Sequence, residues 1–256
     1  MSSLKKLGAY KGLTQEERQI IKDIEASFVD KTKSKTVKKK SFAPSSLGWN
    51  EGKCARAWFF KFEGTDIEET ITFKSASNMK SGSDRHDVLQ EYLSENPSLD
   101  IEIEQELTNV SPPIRAFADG VILRNGKKYP LEIKTAGTAG FEYREQTYIP
   151  AAYHKVQLIP YMVILNSDMG FFLYENKENY DRILIPVRMA DYAEYAEYLF
   201  GWMRKVYAAF EENKLPDFFT GKRSNSKVCK ECPFYTQCHE EGPTDNPKID
   251  LLELPE

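Results

Sequence analysis

"RAFADGVILRNGKKYPLEIKT", residues 115–135, contains two runs of the kind that fill half-buried strands, with Asn125-Gly126 between them. Asn-Gly is a strong hairpin signal, because both residues tolerate the positive φ of a type I′ turn. The stretch predicts two adjacent antiparallel strands, "IRAFADGVIL" and "KKYPLEIKT". Three charges interrupt their apolar pattern: Asp119 on the first strand, Glu132 and Lys134 on the second. Buried charges are costly unless they are paired or bound to a metal. Glu132 and Lys134 are two apart and share a strand face, and the hairpin register lets Asp119 reach that face near one end. Two carboxylates converging on one point repel unless a cation separates them, and hard oxygen ligands suit Mg2+ or Mn2+. An ammonium beside a metal-bound water can orient it and offset charge building on a phosphate. A solvated strand face with salt bridges explains the same three residues without any chemistry, since Glu-x-Lys is a common tripeptide.

Working outward, "LTQEERQIIKDIEASFVDK" carries a capping box, Thr14 and Glu17, followed by Ile20, Ile21, Ile24 and Phe28 at helical spacing, which predicts an amphipathic helix. "SSLGWNEGKCARAWFFKF" reads as an aromatic-rich helix with Cys54 inside it, and "SASNMKSGSDRHDVLQEYL" as another with Val88, Leu89, Tyr92 and Leu93 on its apolar side. "IEIEQEL", from Ile101 to Leu107, alternates as a half-buried strand does. A helix-forming segment from Phe141 to Asn166 must start, bend or break at Pro150 and Pro160. "GFFLYEN" and "RILIPVR" predict two more strands, and "MADYAEYAEYLFGWMRKVYAAFEENK" a long helix. From Leu215 onward the chain reads as irregular.

The 256 residues suffice for one large core with a small appended module. A composition 41% hydrophobic and 29% charged is that of a soluble globular protein. No apolar run approaches a membrane span, and "MSSLKKLGAYKGLTQEER" has no signal-peptide core, so a cytoplasmic location is expected. A net charge of -4, from 35 Lys+Arg against 39 Asp+Glu, argues against a surface that is basic throughout but leaves room for a local basic groove. Lys31, Lys33, Lys35, Lys38, Lys39 and Lys40 crowd "DKTKSKTVKKKS", which reads either as a solvated linker or as an arm contacting phosphates.

Cys54, Cys229, Cys232 and Cys238 are the only cysteines. Without a secretion signal, metal binding is the natural alternative to disulfides. "CKECPFYTQC" supplies three thiols in one compact loop, which suits zinc as well as an iron–sulfur cluster, with Cys54 as the fourth ligand.

Ala118-Asp119 followed by Glu132-Ile133-Lys134 resembles the core motif of the PD-(D/E)xK nuclease superfamily, with Ala118 in place of the usual Pro. Gly82 and His86 in "GSDRH" match the G-x-x-x-H spacing of its RecB-like branch, and Gln157 and Tyr161 in "QLIPY" match that branch's Q-x-x-x-Y motif. The four pieces occur in the family's order and span most of the chain, roughly Ser45 to Cys238. One cysteine before the core and three after it resemble the branch members that carry a [4Fe-4S] cluster, the CRISPR-associated iron–sulfur exonuclease and its phage relatives among them. The frequent Pro after the first of those cysteines is Ala55 here.

The resemblance implies an α/β fold with a restriction-endonuclease-like core, a mixed central sheet flanked by helices, and a helical subdomain stapled by the cluster. It divides the chain into an N-terminal helix and lysine-rich linker (1–40), a cluster subdomain (41–74 and 200–256) and a nuclease core (75–199). It implies Asp119, Glu132 and Lys134 as catalytic residues and His86, Asp119, Glu132 and the Ile133 carbonyl as ligands of Mg2+ or Mn2+. Gln157 and Tyr161 would bind substrate, and Cys54, Cys229, Cys232 and Cys238 would hold [4Fe-4S], with Zn2+ the lesser alternative. The implied activity is exonuclease digestion of DNA with single-stranded or frayed ends, in phage replication or recombination or in CRISPR-type processing, in a bacterial or phage-infected cytoplasm. DNA is the implied partner, with a homo-oligomer or a replication, recombination or CRISPR protein beside it and no membrane. The rival reading is a non-catalytic nucleic-acid-binding module with a structural Fe-S or Zn site.

Overall fold

The computed structural model describes residues 12–219 and 227–256; the parts of the expected N-terminal and cluster regions at 1–11 and 220–226 lie outside the described residues. In chain order the helices and strands are α1 (Gln15–Glu25), β1 (Lys31–Val37), α2 (Pro44–Leu47), α3 (Ala55–Glu63), β2 (Thr65–Ile71), α4 (Phe73–Ser94), β3 (Ile101–Asn109), β4 (Ile114–Arg124) and β5 (Lys127–Ala136). They continue with α5 (Thr138–Thr147), α6 (Ala152–Ile164), β6 (Met169–Asn176), β7 (Arg182–Arg188), α7 (Ala193–Glu211), α8 (Lys227–Lys230) and α9 (Tyr235–Glu241).

Strands β3-β4-β5-β6-β7 form one mixed sheet in that order, antiparallel except for the β5–β6 pair. The β4–β5 hairpin closes as the sequence predicts, with Asn125 at φ 52° and Gly126 at φ 74° and Arg124 opposite Lys127. Pro186 falls in β7, an edge strand, where a missing N–H costs no central ladder bond. Helix α6 runs through Pro160 as one helix, and its core face packs Leu158, Tyr161 and Met162 against Ala118, Val121 and Phe172 of the sheet. The segment breaks at the other proline, at Tyr148–Ala151, where Tyr148 is left-handed and Pro150 follows. A second cluster joins α3, α6 and α7 around fully buried Trp58, whose Nε1–H donates to the Gly52 carbonyl at 2.7 Å.

Four expectations change. The lysine-rich stretch is not a linker in its first half: Lys31–Val37 is strand β1, paired antiparallel with β2. It lacks a buried face, so cross-strand pairs hold it, Lys35 to Glu69 at 2.6 Å and the Thr32 and Thr70 hydroxyls at 2.9 Å. Cys54 does not lie inside a helix but at the N-cap of α3, after a 3-10 turn at Asn50–Lys53. Helix α1 forms with its capping box, yet Ile20, Ile24 and Phe28 are exposed, and on α4 Leu89 is buried while Tyr92 is not. The C-terminal region is ordered beyond Lys227: two short helices form, and the tail returns so that Leu252 N–H donates to the Lys53 carbonyl at 2.8 Å.

Candidate active site

Strands β4 and β5 pair from the turn only as far as Gly120 opposite Leu131. Beyond that rung β5 turns to β6, pairing Leu131 with Phe171 through Ala136 with Asn176. The split frees backbone groups, and the Asp119 carboxylate takes one of them: Ile133 N–H donates to Asp119 Oδ2 at 2.6 Å. Gly120 beside it is closely packed: a Cβ there would lie 2.7 Å from Ile101 Cδ1 of β3, so that side chain would have to shift. Asp119 and Glu132 thus face each other across a gap set by the sheet's change of partner.

Helix α4 lies across β3, β4 and β5 and brings His86 to the gap, its Nδ1 3.3 Å from Asp119 Oδ1. Burial disfavours the imidazolium, but the bond to Asp119 and that carboxylate's charge outweigh it and hold His86 above its ordinary value. One turn on, buried Gln90 donates to Glu104 Oε1 at 2.7 Å and to the Asp119 carbonyl at 3.0 Å. Glu104 is left-handed, with φ at 51°, at the unpaired position between the Ile103–Gly120 and Gln105–Ala118 rungs. No motif points to Gln90, although its i+4 spacing from His86 puts both on one face of α4.

Glu132 is 2% exposed. Burial, with repulsion from Asp119 added and the pull of Lys134 opposing, pushes its carboxyl up to about 7. Its Oε1 accepts from Lys134 Nζ and from Gln157 Nε2, both at 2.6 Å, while its Oε2 is buried with no hydrogen-bond partner among the described residues. Gln157 also accepts from Lys134 Nζ at 2.9 Å and donates to the Tyr161 hydroxyl at 3.0 Å; Tyr161 in turn donates to the Phe117 carbonyl at 3.3 Å. Both are buried in α6, so their contacts run to the carboxylate, the lysine and the strand backbone.

Two neighbours brace this centre. Arg85 Nε and Nη2 donate to the two oxygens of fully buried Glu175 on β6 at 2.7 and 2.9 Å, clamping α4 to the sheet beside His86. His154 on α6 lies 2.8 Å from the Tyr174 hydroxyl, and burial, then the charges of Lys134 and Arg144, push it down to about 2.

As placed, no three His, Cys, Asp or Glu side chains among the described residues are gathered as a metal ion needs. The expected set therefore stands apart as His86, Asp119 and Glu132 in an ion pair and a lysine network, and Ile133 is seen giving its N–H to Asp119. The donor chemistry nevertheless suits a hard divalent ion: one imidazole and two carboxylates, of which Glu132 Oε2 is buried with no partner among the described residues.

All four cysteines line one cavity, with Phe60, Val228 and Phe234 among its apolar walls. Burial pushes the Cys54 thiol up to about 11 and the Cys232 thiol up to about 12, and charges on the other cysteines add to both. Cys54 from the N-terminal side and Cys232 and Cys238 from the C-terminal side pack on one cluster with Phe59, Phe60 and Phe234.

No protein-family model and no curated protein matches this chain. Among solved structures it is similar to SSO0001, 18% identical over 88% of this chain and 96% of that one with a TM-score of 0.45. It is also similar to the alkaline exonuclease LHK-Exo of Laribacter hongkongensis, 14% identical over 53% of this chain and 71% of that one, TM-score 0.43. The same exonuclease in complex with dAMP gives 17% identity over 53% and 69%, TM-score 0.42.

Proposed function

We propose that the chain is a metal-dependent deoxyribonuclease of the PD-(D/E)xK type, acting as an exonuclease on single-stranded or frayed DNA ends. One observation carries the reading: His86 pairs with Asp119, and Lys134 with Glu132, where β4 and β5 part, and a buried oxygen of Glu132 there has no partner among the described residues. A clamp that served stability alone would satisfy that oxygen, since leaving a buried acceptor unpaired costs about 1–3 kcal/mol.

Asp119, Glu132 and His86, with the Ile133 carbonyl as a further donor, would hold Mg2+ or Mn2+. When bound, the ion would neutralise phosphate charge and lower the pKa of a coordinated water. In hydrolysis a water oxygen bonds to phosphorus, the bond from phosphorus to the leaving oxygen breaks, and that oxygen takes up a proton. Lys134 Nζ is placed beside Glu132 to donate a hydrogen bond to the attacking water and to offset charge growing on the phosphoryl oxygens. Gln157 fixes both Glu132 and Lys134 from α6, which limits the rotamers each explores. Tyr161 holds Gln157 and the backbone of β4.

The four-cysteine cavity supports a structural [4Fe-4S] cluster, with zinc the alternative for the same thiolates. The homo-oligomer or partner protein and the phage or CRISPR context are part of this reading and rest on motif resemblance. A non-catalytic binding module is favoured by one feature, the closed bonding of Lys134 to Glu132 and Gln157. Digestion of 5′- and 3′-labelled single strands with Mn2+, with Mg2+ and with EDTA separates the two. Products that need the ion and vanish in Lys134→Ala support the nuclease; intact strands under every condition sink it.

A further inference from the structure

The gap between β4 and β5 is one end of a longer groove. Below Gly120, β4 has no β5 neighbour, and the segment before α2 runs beside it instead, with Phe42 bridging Ile114 and Phe42 O accepting from Arg115 N–H at 3.1 Å. The groove between that segment and the strand edge has a volume of about 590 Å³, lined by Lys38, Lys39, Lys40, Arg115 and Phe117, with Gln157 and Tyr161 on its floor. Gln157 is the same residue that bonds Glu132 and Lys134, so the groove opens onto the candidate centre.

Its chemistry is specific. Lys38, Lys39 and Lys40 are exposed, and among the described residues none forms an ion pair, although the whole chain is net acidic at -4. Arg115 pairs with Glu106 at 2.6 Å, both being exposed, and such a pair is weak enough for a phosphate to displace. Alternation along β4 puts Arg115, Phe117 and Asp119 on one side of the strand. Phe117 is 45% exposed on the face opposite buried Ala116 and Ala118, and the Arg115 guanidinium lies 5.1 Å from its ring centre. Cations in a row beside an exposed aromatic face are the two elements that recognise an unpaired nucleic-acid strand, phosphates on the first and a base on the second.

We propose that this groove is the track of a single nucleic-acid strand, with Lys38–Lys40 and Arg115 on its phosphates and Phe117 under a base. The track leads the backbone to Asp119 and Glu132. It deepens the nuclease reading and rests on it for the direction of travel, but strand binding is measurable without cleavage.

Fluorescence anisotropy of a labelled oligo(dT) strand in EDTA, titrated over a range of salt, is the test. Each lysine that meets a phosphate of a single strand contributes about 0.7 to the slope of log affinity against log salt. Lys38→Ala/Lys39→Ala/Lys40→Ala should therefore reduce that slope by about 2. Phe117→Ala should weaken binding roughly tenfold with the slope unchanged. Lys205→Ala/Lys214→Ala/Lys248→Ala makes the same charge change in a different pocket and should leave affinity within about twofold. Equal loss in both lysine triples, an unaltered Phe117→Ala, or a blunt duplex held as tightly as the single strand each overturn the track. Circular dichroism of the variants, all altered at exposed side chains, checks that the fold is kept. Binding through the groove by a protein that never cleaves would sink the nuclease reading and leave the track in place.

Discussion

At the scale of single residues, the centre depends on one buried carboxylate with two unlike oxygens. Glu132 Oε1 is saturated by Lys134 and Gln157, and Oε2 has no partner among the described residues. Glu132→Gln keeps the volume and removes a buried charge that Asp119 repels, so melting temperature should hold or rise while cleavage falls by about 100-fold or more. Equal cleavage rates for this variant and the parent in Mn2+ would remove Glu132 from the chemistry. Lys134→Ala should lose both activity and stability, because Glu132 then stays buried without its ammonium. His154 answers to pH instead. His154 Nδ1 and the Tyr174 hydroxyl share a hydrogen bond at 2.8 Å, and that hydroxyl also accepts from Ala151 N–H at 3.3 Å. The folded imidazole is pushed down to about 2 from an ordinary 6.5, so below about pH 6.5 the unfolded chain binds the extra proton. Stability is fully present above that value and falls as pH drops, by up to about 1.4 kcal/mol per unit from this group. Urea unfolding between pH 4 and 7 should show a shallower pH slope in His154→Gln; an identical slope refutes the assignment.

At the scale of elements, what was legible followed from backbone signals and what was hidden followed from side-chain geometry. Asn125-Gly126 fixed the β4–β5 hairpin and its register back to Gly120 opposite Leu131, which leaves Asp119 and Glu132 just past the last paired rung. β1 was hidden since "KTKSKTV" has no apolar face to alternate, and only its partner β2 makes it a strand. The Gln157–Tyr161 spacing was visible, but that Gln157 would touch Glu132 and Lys134 together depends on where α6 crosses the sheet. Arg85 beside His86 gave no sign of its partner, because Glu175 lies 90 positions away on β6. That clamp sets the height of α4 and hence of His86. Arg85→Ala strands a fully buried carboxylate and should cost about 3 kcal/mol in urea. The Arg85→Ala/Glu175→Gln pair should cost less than the single change, since no charge is then left uncompensated. Additive losses in that cycle would mean the two side chains do not act as a unit.

At the scale of the whole molecule, the C-terminal region is closed twice onto the segment around α3. One closure is packing: the tail crosses α7, with Trp202 Nε1–H donating to the Asp250 carbonyl at 2.9 Å and Leu252 buried among Trp58, Phe62 and Val206. The other is the cavity shared by Cys54, Cys229, Cys232 and Cys238. The sheet's own core contains none of these cysteines, and neither does the cluster around Trp58. The physics separates the two closures: a metal, if the thiols bind one, would stabilise the region it holds, while the sheet relies on apolar burial. If the thiols hold a metal, its removal should loosen the 227–241 region and leave the sheet folded. Protein purified without oxygen should be brown, with about four iron and four sulfide per chain if the thiols hold a [4Fe-4S] cluster. Cys232→Ser should be colourless and lose its C-terminal region to limited proteolysis, while strands β3–β7 keep their slow amide exchange. A colourless parent with one zinc per chain would assign the thiols to that ion and leave the closure intact. A parent holding neither metal, with proteolysis unchanged in Cys232→Ser, would reduce the cavity to ordinary packing and make the tail alone responsible for the closure.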